Sequence, residues 1–513
     1  AMSQTVRPWW ESRIYVAALI LAAFVPLLYP GVPPLVDLLG HMGRYRVELD
    51  LANSPYLQRY FDFHWQLIGN LGVDLGVVPL NKLVGLELSV KLIAMTIPPL
   101  TVAGFLWVAR EVHGRIPPTA AFALPFAFGQ PFLFGFLNFT LSMALAFLAF
   151  GLWLRLARLG RLKLRLALFV PISFVLFTCH AFGWGTLGLL CFSAEAVRQH
   201  DRGIDWWKAG LKAAPHALVM AGPALLMLMW RSDVSGGMTG DLFNIAAKFS
   251  ALIGALRDRW QVFDIFAVAA TLIVLVEARH RPMLGFSRNL VFSSLVLLAF
   301  FLALPRIVFG SAYADMRLVP FILATALLAV RFREEADLRT ARLIAIAATC
   351  FYSLNLVVTT ASMAMAAQRQ KRLLTMLDHV PRGAALITLV GEPCQAQWAL
   401  ARDTHIGAMA IVRRHAFSND QWSTEGINLL RVHFPEAAPF HADPSQMIRP
   451  NNCGFKERLE VDRALRSINR DVISYVWTID MPSHDPSAFA GYRMIHEDGG
   501  SRLYARDKEH ERP

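Results

Sequence analysis

Eleven apolar segments occupy most of the first 365 residues, at about 14–30, 83–109, 117–133, 136–154, 166–179, 181–197, 209–230, 262–278, 289–305, 317–332 and 341–365. A helix needs about 20 apolar residues to cross the hydrocarbon layer of a membrane. A backbone in lipid must satisfy its own N–H and C=O groups, so repeated runs of this kind leave a helical bundle as the architecture. The composition agrees, because 55% of the 513 residues are hydrophobic and only 17% are charged, against about a quarter in a soluble chain. The expectation is an all-α polytopic membrane bundle of about 11 spans. The pieces near 120–180 are short, and two of them are predicted to be re-entrant or broken helices. Ala1 ahead of Met2 reads as a cloning scar. The first apolar run is longer than a signal-peptide core and lacks a small-residue cleavage site after it, so it is read as a retained span.

Charge then assigns the sides. A net charge of +12 would suggest nucleic acid as the partner of a soluble protein. Here the basic residues cluster in short loops between spans, so they are read as orientation signals, with no nucleic-acid partner. The loops AREVHGRIPP, RLARLGRLKLR, RQHDRGIDWWK, EARHRPMLGFSR and RFREEADLRTAR hold 17 Lys and Arg, and the opposite short loops hold 2. The first set is therefore cytoplasmic, as is the N-terminus. An odd number of spans puts the C-terminus outside, together with the long segments 31–82, 231–261 and 366–513. The polar chemistry of the chain thus collects on one face of the membrane.

From about residue 370 the pattern changes. GAALITLVG, AMAIVRR, DVISYVWTID and YRMIHEDGGSRLYAR read as short strands, the last as a hairpin turning at Gly499 and Gly500. FKERLEVDRALRSINRD reads as a helix. The predicted organisation is a membrane domain over 1–368, with the external loop 31–82, and an extracytoplasmic α/β domain over 369–513. That domain has no phosphate loop and no GxSxG, and is expected to be a substrate-shaping or structural cap, not the catalytic centre. No cysteine spacing fits a metal site. Cys394 and Cys453 both fall in this region and are able to pair if it lies outside the cytoplasm.

Five polar constellations interrupt the apolar pattern. In PPLVDLLGHMGRYRVELD a helix would place Asp37, His41 and Arg44 at i, i+4 and i+7, on one face. Asp37 stands about one turn beyond the first span. A partly desolvated carboxylate there suits a general base, with His41 sharing a proton or a metal ion; the plainer alternative is a solvated interfacial helix. In YFDFHWQLIGNLGVDLGVVPL, Asp62 and His64 lie among interfacial aromatics, and Asn70 and Asp74 share a helical face, to bind substrate or hold the loop. Asn138 in FLFGFLNFTLSM is expected first as a link between helices. His180 in TCHAFGW is an ionisable group at the external end of two apolar runs. In LPRIVFGSAYADMRLVPF, Arg306 and Arg317 flank a short external loop. Arg317 enters the next span at the depth of a lipid phosphate, which a guanidinium grips bidentately; the alternative is simple snorkelling.

These features together resemble the GT-C superfamily of integral-membrane glycosyltransferases. The resemblance rests on PLVDLLGHMGRY after the first span, on GNLGVDLGVVPL and GFLNF, and on ADMRLVPF late in the bundle. It implies a catalytic acidic residue in the first external loop, at Asp37, and an external-loop arginine near a lipid-phosphate donor, at Arg317. Many members carry two adjacent acidic residues in that loop; Asp37 has no acidic neighbour, and His41 is the nearest polar partner. The implied function is transfer of a sugar from a polyprenyl-phosphate donor to a glycan or lipid acceptor at the outer face of a bacterial inner membrane, with inversion. Asp37 and His41 are the catalytic candidates. Arg44, Asp62, His64, Asn70, Asp74, Asn138, His180, Arg306 and Arg317 are the substrate-binding candidates, with Asp37 and Arg317 expected to line one outward chamber. No cofactor is certain, and a divalent metal, Mg or Mn, is compatible. The alternatives are another envelope-assembly enzyme (polymerase, ligase or phosphoryl-group transferase) or a transporter or scaffold. Transport is disfavoured because the midspan segments carry almost no charge.

Overall fold

A computed structural model describes residues 7–229, 239–308, 311–333, 337–423, 428–454 and 459–507. Ala1, residue 230, the 231–238 part of the external segment, the Glu334–Glu335 stretch of the last basic loop and the first four residues of the predicted helix 455–471 lie outside these. The chain divides into two compact units, one of residues 1–29, 67–75 and 92–362, the other of 30–66, 76–91 and 363–513.

The first unit is helical. The predicted apolar segments fall largely on helix, although 317–332 ends in the strand Val330–Phe332, and among the described residues six helices are long and apolar enough to cross a membrane: Leu86–His113, Leu137–Arg158, Leu162–Cys179, Trp206–Met229, Gln261–His280 and Leu338–His379. Shorter apolar helical stretches cover Arg13–Leu28, Ala120–Leu133, Arg288–Ala303 and Met316–Leu328. Of the short pieces near 120–180, one is broken: a 3-10 helix over Ala120–Phe128 is followed by a single turn at Gln130–Leu133, whereas Leu137–Arg158, Leu162–Cys179 and Ala181–His200 are continuous helices. Pro125 interrupts the first and Pro131 starts the second, because proline donates no hydrogen bond within a helix. Leu137–Arg158 packs on Leu162–Cys179 and Ala181–His200, and the latter also contacts Arg288–Ala303. Their centre is aromatic: Phe147 stacks on Phe321 at 5.9 Å, and Phe105 meets Phe147 edge-on at 4.9 Å. Outward faces carry exposed Leu228, Phe266, Ile273 and Val357, which a hydrocarbon solvent stabilises and water would not.

The second unit is built on a six-stranded sheet. Its centre, Leu386–Gly391, pairs in parallel with Met447–Arg449 and Tyr475–Ile479. Tyr475–Ile479 pairs antiparallel with Ser501–Arg506, which forms the predicted hairpin with Tyr492–Asp498. Gly499 takes a φ of 57°, the left-handed turn geometry that favours glycine. The central strand is buried at every residue from Leu386 to Val390, as expected for a strand covered on both faces. One strand expectation fails: AMAIVRR is a helix, Met409–Arg414, ended by His415 at a φ of 49°. Met409 to Val412 are all buried, so a continuous apolar run without alternation carried no strand-specific signal. The predicted helix after residue 455 is shorter than expected, spanning Val461–Ser467.

This unit does not follow the boundary expected at residue 368. The helix Leu38–Asp50 packs on Met409–Arg414, and the short strand Phe61–Phe63 pairs antiparallel with Leu430–Val432. Val47, Leu57, Tyr60 and Phe61 enter the same buried cluster as Ile387, Phe417 and Val476. Cys394 and Cys453 are disulfide-bonded, with Cα atoms 5.4 Å apart.

Candidate active site

Asp37 is the N-cap residue of the helix Leu38–Asp50, and its backbone carbonyl accepts from His41 N at 3.1 Å. The segment before it is pinned by Arg402, whose Nη1 donates to the Pro34 carbonyl. The Arg402 carbonyl in turn accepts from Gln370 Nε2 at 2.8 Å. So held, Asp37 Oδ1 lies 3.5 Å from Nε2 of His405. The other ring nitrogen, Nδ1, is 2.5 Å from Asp420 Oδ1 and 3.8 Å from Asp443 Oδ1. His405 and Asp420 are buried, whereas Asp37 and Asp443 keep partial access to solvent. Burial alone would push the imidazole down. Asp420, then Asp37 and Asp443, outweigh that effect and hold it up at about 10. Three carboxylates thus surround one imidazolium, and one of them is the carboxylate singled out as a base.

Trp422 completes the wall. Its ring centroid is 4.7 Å from that of His405 and 4.8 Å from that of His41. The close approach needs Gly40, where a Cβ would come within 2.7 Å of the Trp422 ring. His41 also meets Arg44, whose Nη1 is 3.1 Å from His41 Nδ1. The predicted helical face is therefore formed, with Asp37, His41 and Arg44 all in the second unit.

The cluster has the donor set of a cation site. One ligand atom each from His405, Asp420 and Asp443 lies within 4.8 Å of the other two. Beside them Gln446 Nε2 donates to Asp443 Oδ1 at 2.6 Å, while its Oε1 is buried with no hydrogen-bond partner among the described residues. An orphaned carbonyl oxygen beside two carboxylates and an imidazole is a mixed set of nitrogen and oxygen donors of the kind that can hold a divalent cation.

The remaining sequence candidates make other contacts. Asp62 sits on the exposed side of its strand and pairs with His433 at 2.9 Å; His64 is exposed. Asn70, Asp74 and Asn138 form a clasp in the helical unit. Asn138 Nδ2 donates to Asn70 O, Asn70 Oδ1 and Asp74 Oδ2, each at 2.9 Å, and Asn138 Oδ1 accepts from Val73 N at 2.6 Å. That is the helix-linking role expected first for Asn138. His180 caps the helix Ala181–His200, its Nδ1 accepting from Phe182 N at 3.1 Å.

Arg317, in the helical unit, is buried, with its guanidinium 4.1 Å over Phe136 and 5.9 Å from Phe139, the ring that His180 also meets. Its Nη2 donates to Ser311 Oγ at 2.9 Å and to the Ala312 carbonyl at 3.2 Å. Arg306 is more exposed, lying 3.5 Å from Asp241 and 5.1 Å over Tyr313. The fold adds a charge that sequence reading missed. Lys248 is buried and donates to the Phe301 and Leu304 carbonyls and to Asp315, at 2.7, 2.9 and 3.1 Å. Arg317 and Asp37 belong to different compact units.

No protein-family model matches the chain, and no curated protein matches it. Its fold matches that of ArnT from Cupriavidus metallidurans in the apo state, with a TM-score of 0.52 and 11% identity over 97% of this chain and 98% of that one. The same protein bound to undecaprenyl phosphate matches with a TM-score of 0.50, 11% identity and coverage of 96% and 97%. The mycobacterial arabinofuranosyltransferase AftD aligns with a TM-score of 0.44 and 15% identity over 96% of this chain and 41% of that one. The match to ArnT spans nearly the whole chain, so the chain shares the fold of ArnT.

Proposed function

We propose that this chain, which shares the fold of ArnT, is a membrane glycosyltransferase that moves a sugar from a polyprenyl-phosphate carrier to an envelope glycan or lipid acceptor. The observation that carries the reading is Asp37: a partly open carboxylate beside a buried imidazolium, directly after the first apolar segment. Asp37 takes the proton of the acceptor hydroxyl as that oxygen attacks the anomeric carbon. The bond from that carbon to the carrier phosphate breaks, and the polyprenyl phosphate leaves with the electron pair. One displacement inverts the anomeric centre. Arg317 has by itself the chemistry for a lipid phosphate, a planar guanidinium backed by two aromatic rings and fixed by backbone and hydroxyl acceptors. That undecaprenyl phosphate binds ArnT supports this donor class. The disulfide and the loop charge bias support a periplasmic second unit on a bacterial inner-membrane protein.

The test is direct. Purified protein is given a polyprenyl phosphate carrying a labelled sugar, together with envelope glycan acceptors. Labelled sugar should pass to the acceptor, and free polyprenyl phosphate should accumulate in equal amount. Transfer of the phosphate along with the sugar would instead establish a phosphoryl-group transferase.

We assign the divalent cation to His405, Asp420 and Asp443, where it would take the place of the imidazole proton facing Asp420, because a ring nitrogen ligates a metal only when deprotonated. Chain stripped with chelator and then equilibrated with Mn2+ should hold one ion, read by electron paramagnetic resonance. Asp443→Ala, at the most accessible of the three, should hold none. Equal occupancy in both would remove the cation from this cluster.

A further inference from the structure

The five Lys- and Arg-rich loops that orient the chain also build something. A cavity of about 990 Å3 in the helical unit is lined by residues from all five, and by none of the residues given a role above. Seven of its lining residues are arginines: Arg115, Arg158, Arg165, Arg198, Arg288, Arg331 and Arg333; three are acidic: Glu111, Glu195 and Asp201. Arg158 pairs with Glu111 at 2.9 Å, Arg288 with Asp201 at 2.7 Å, and Arg198 and Arg165 share Glu195 at 2.9 and 3.1 Å. The wall therefore keeps a surplus of four positive charges. Orientation alone requires only that such residues sit in loops, solvated.

Arg165 departs from that. It is fully buried, and its guanidinium stacks 3.8 Å over Trp153. Only Nη2 is bonded, to Glu195 and to His216 at 2.9 Å; Nε and Nη1 are buried with no hydrogen-bond partner among the described residues. Leaving donors of a charged group unsatisfied costs more than a typical hydrogen bond contributes, so two such donors on the wall of a cationic cavity call for an acceptor. The side facing them must be anionic, must carry several oxygens, and must fit a space at the upper end of small-ligand pockets. Phosphate chemistry meets all three conditions, and arginine is its usual planar partner.

We propose that this cavity, on the face that the charge bias makes cytoplasmic, binds a phosphate group, with Arg165 at its inner wall and Arg331 and Arg333 at exposed positions. Two sources share the chemistry: a free phosphate or pyrophosphate, and the headgroup of an anionic lipid. The full chain is titrated with inorganic pyrophosphate in detergent micelles. In parallel it is placed in nanodiscs of phosphatidylcholine with or without phosphatidic acid, and retained lipid is measured by native mass spectrometry. Binding of pyrophosphate that weakens at least tenfold in Arg331→Ala/Arg333→Ala, and with added salt, supports the site and identifies a free anion. Retention of phosphatidic acid alone, lost in the same variant, supports it and identifies a lipid headgroup. Arg165→Lys, which keeps the charge but not the fork, should weaken either ligand without unfolding the chain. Absence of binding by both probes, or equal binding by wild type and the double variant, overturns the proposal. Neither readout uses sugar transfer, so this result and that of the transfer assay stand apart.

Discussion

Asp37→Asn lowers the rate of sugar transfer by about 10²–10⁴-fold, the range a positioned general base supplies, and leaves the fold and carrier binding intact. The substitution is chosen for what it preserves. Asparagine has nearly the same shape and is as good an N-cap residue as aspartate, and the Asp37 side chain makes no capping bond. The Pro34 carbonyl still accepts from Arg402. His405 keeps Asp420 at 2.5 Å and Asp443 at 3.8 Å, so the cation loses one of three neighbours and stays compensated. What disappears is the carboxylate assigned to take the acceptor's proton. Thermal unfolding should shift by less than about 1 kcal/mol equivalent, since an isosteric change at a partly open site removes no core packing. Transfer within tenfold of wild type, measured with the labelled polyprenyl-phosphate donor, would mean that the base is elsewhere. A matching loss of carrier binding would move Asp37 from proton transfer to substrate binding.

The parts of this molecule that sequence made legible are those governed by local physics. Lipid forbids unsatisfied backbone, so apolar helices announce themselves by length, and the shortness of the pieces near 120–180 pointed to a broken helix there; the prolines at the break, Pro125 and Pro131, were not read from the sequence. The hairpin turning at Gly499 was legible for a local reason too. The strand reading of AMAIVRR failed because its neighbours bury it on every side, which erases the alternation that separates strand from helix.

The candidate site divides in the same way. Asp37 stood out because a carboxylate directly after an apolar run is out of place. Asn138 stood out because an amide inside such a run needs partners, and three acceptors and one donor surround it. His405, Asp420 and Asp443 raised no local signal. They lie in stretches where polar residues are ordinary, and only the packing of the helix Leu38–Asp50 on the C-terminal region brings them to Asp37. A cap in sequence is half of the candidate site in structure. Lys248 was missed likewise: one cation in an amphipathic run reads as solvated until Asp315 is seen 3.1 Å away.

His405→Ala destabilises the second unit by about 3–5 kcal/mol, the cost of breaking a buried ion pair by removing one partner. The argument rests on what is left. Asp420 is fully buried, and with the ring gone its carboxylate faces Asp443 with no cation between them. The cavity left by the imidazole adds to the cost, and Trp422 loses the ring it packs against. Asp420→Asn alone is also destabilising, because it leaves the buried imidazolium without its nearest counter-ion. The pair His405→Gln/Asp420→Asn replaces charge with a neutral hydrogen bond, and such replacements are often close to neutral. The double variant should therefore be more stable than either single one, with a coupling of about 2 kcal/mol or more, read from thermal unfolding and from hydrogen exchange over residues 405–420. Simple additivity would show that the three carboxylates do not depend on His405 for their charge balance. The same folded double variant separates support from chemistry. Asp37 remains but has lost the cation at 3.5 Å, so transfer should fall well below wild type although the unit is intact, whereas a purely structural His405 would let activity return with stability.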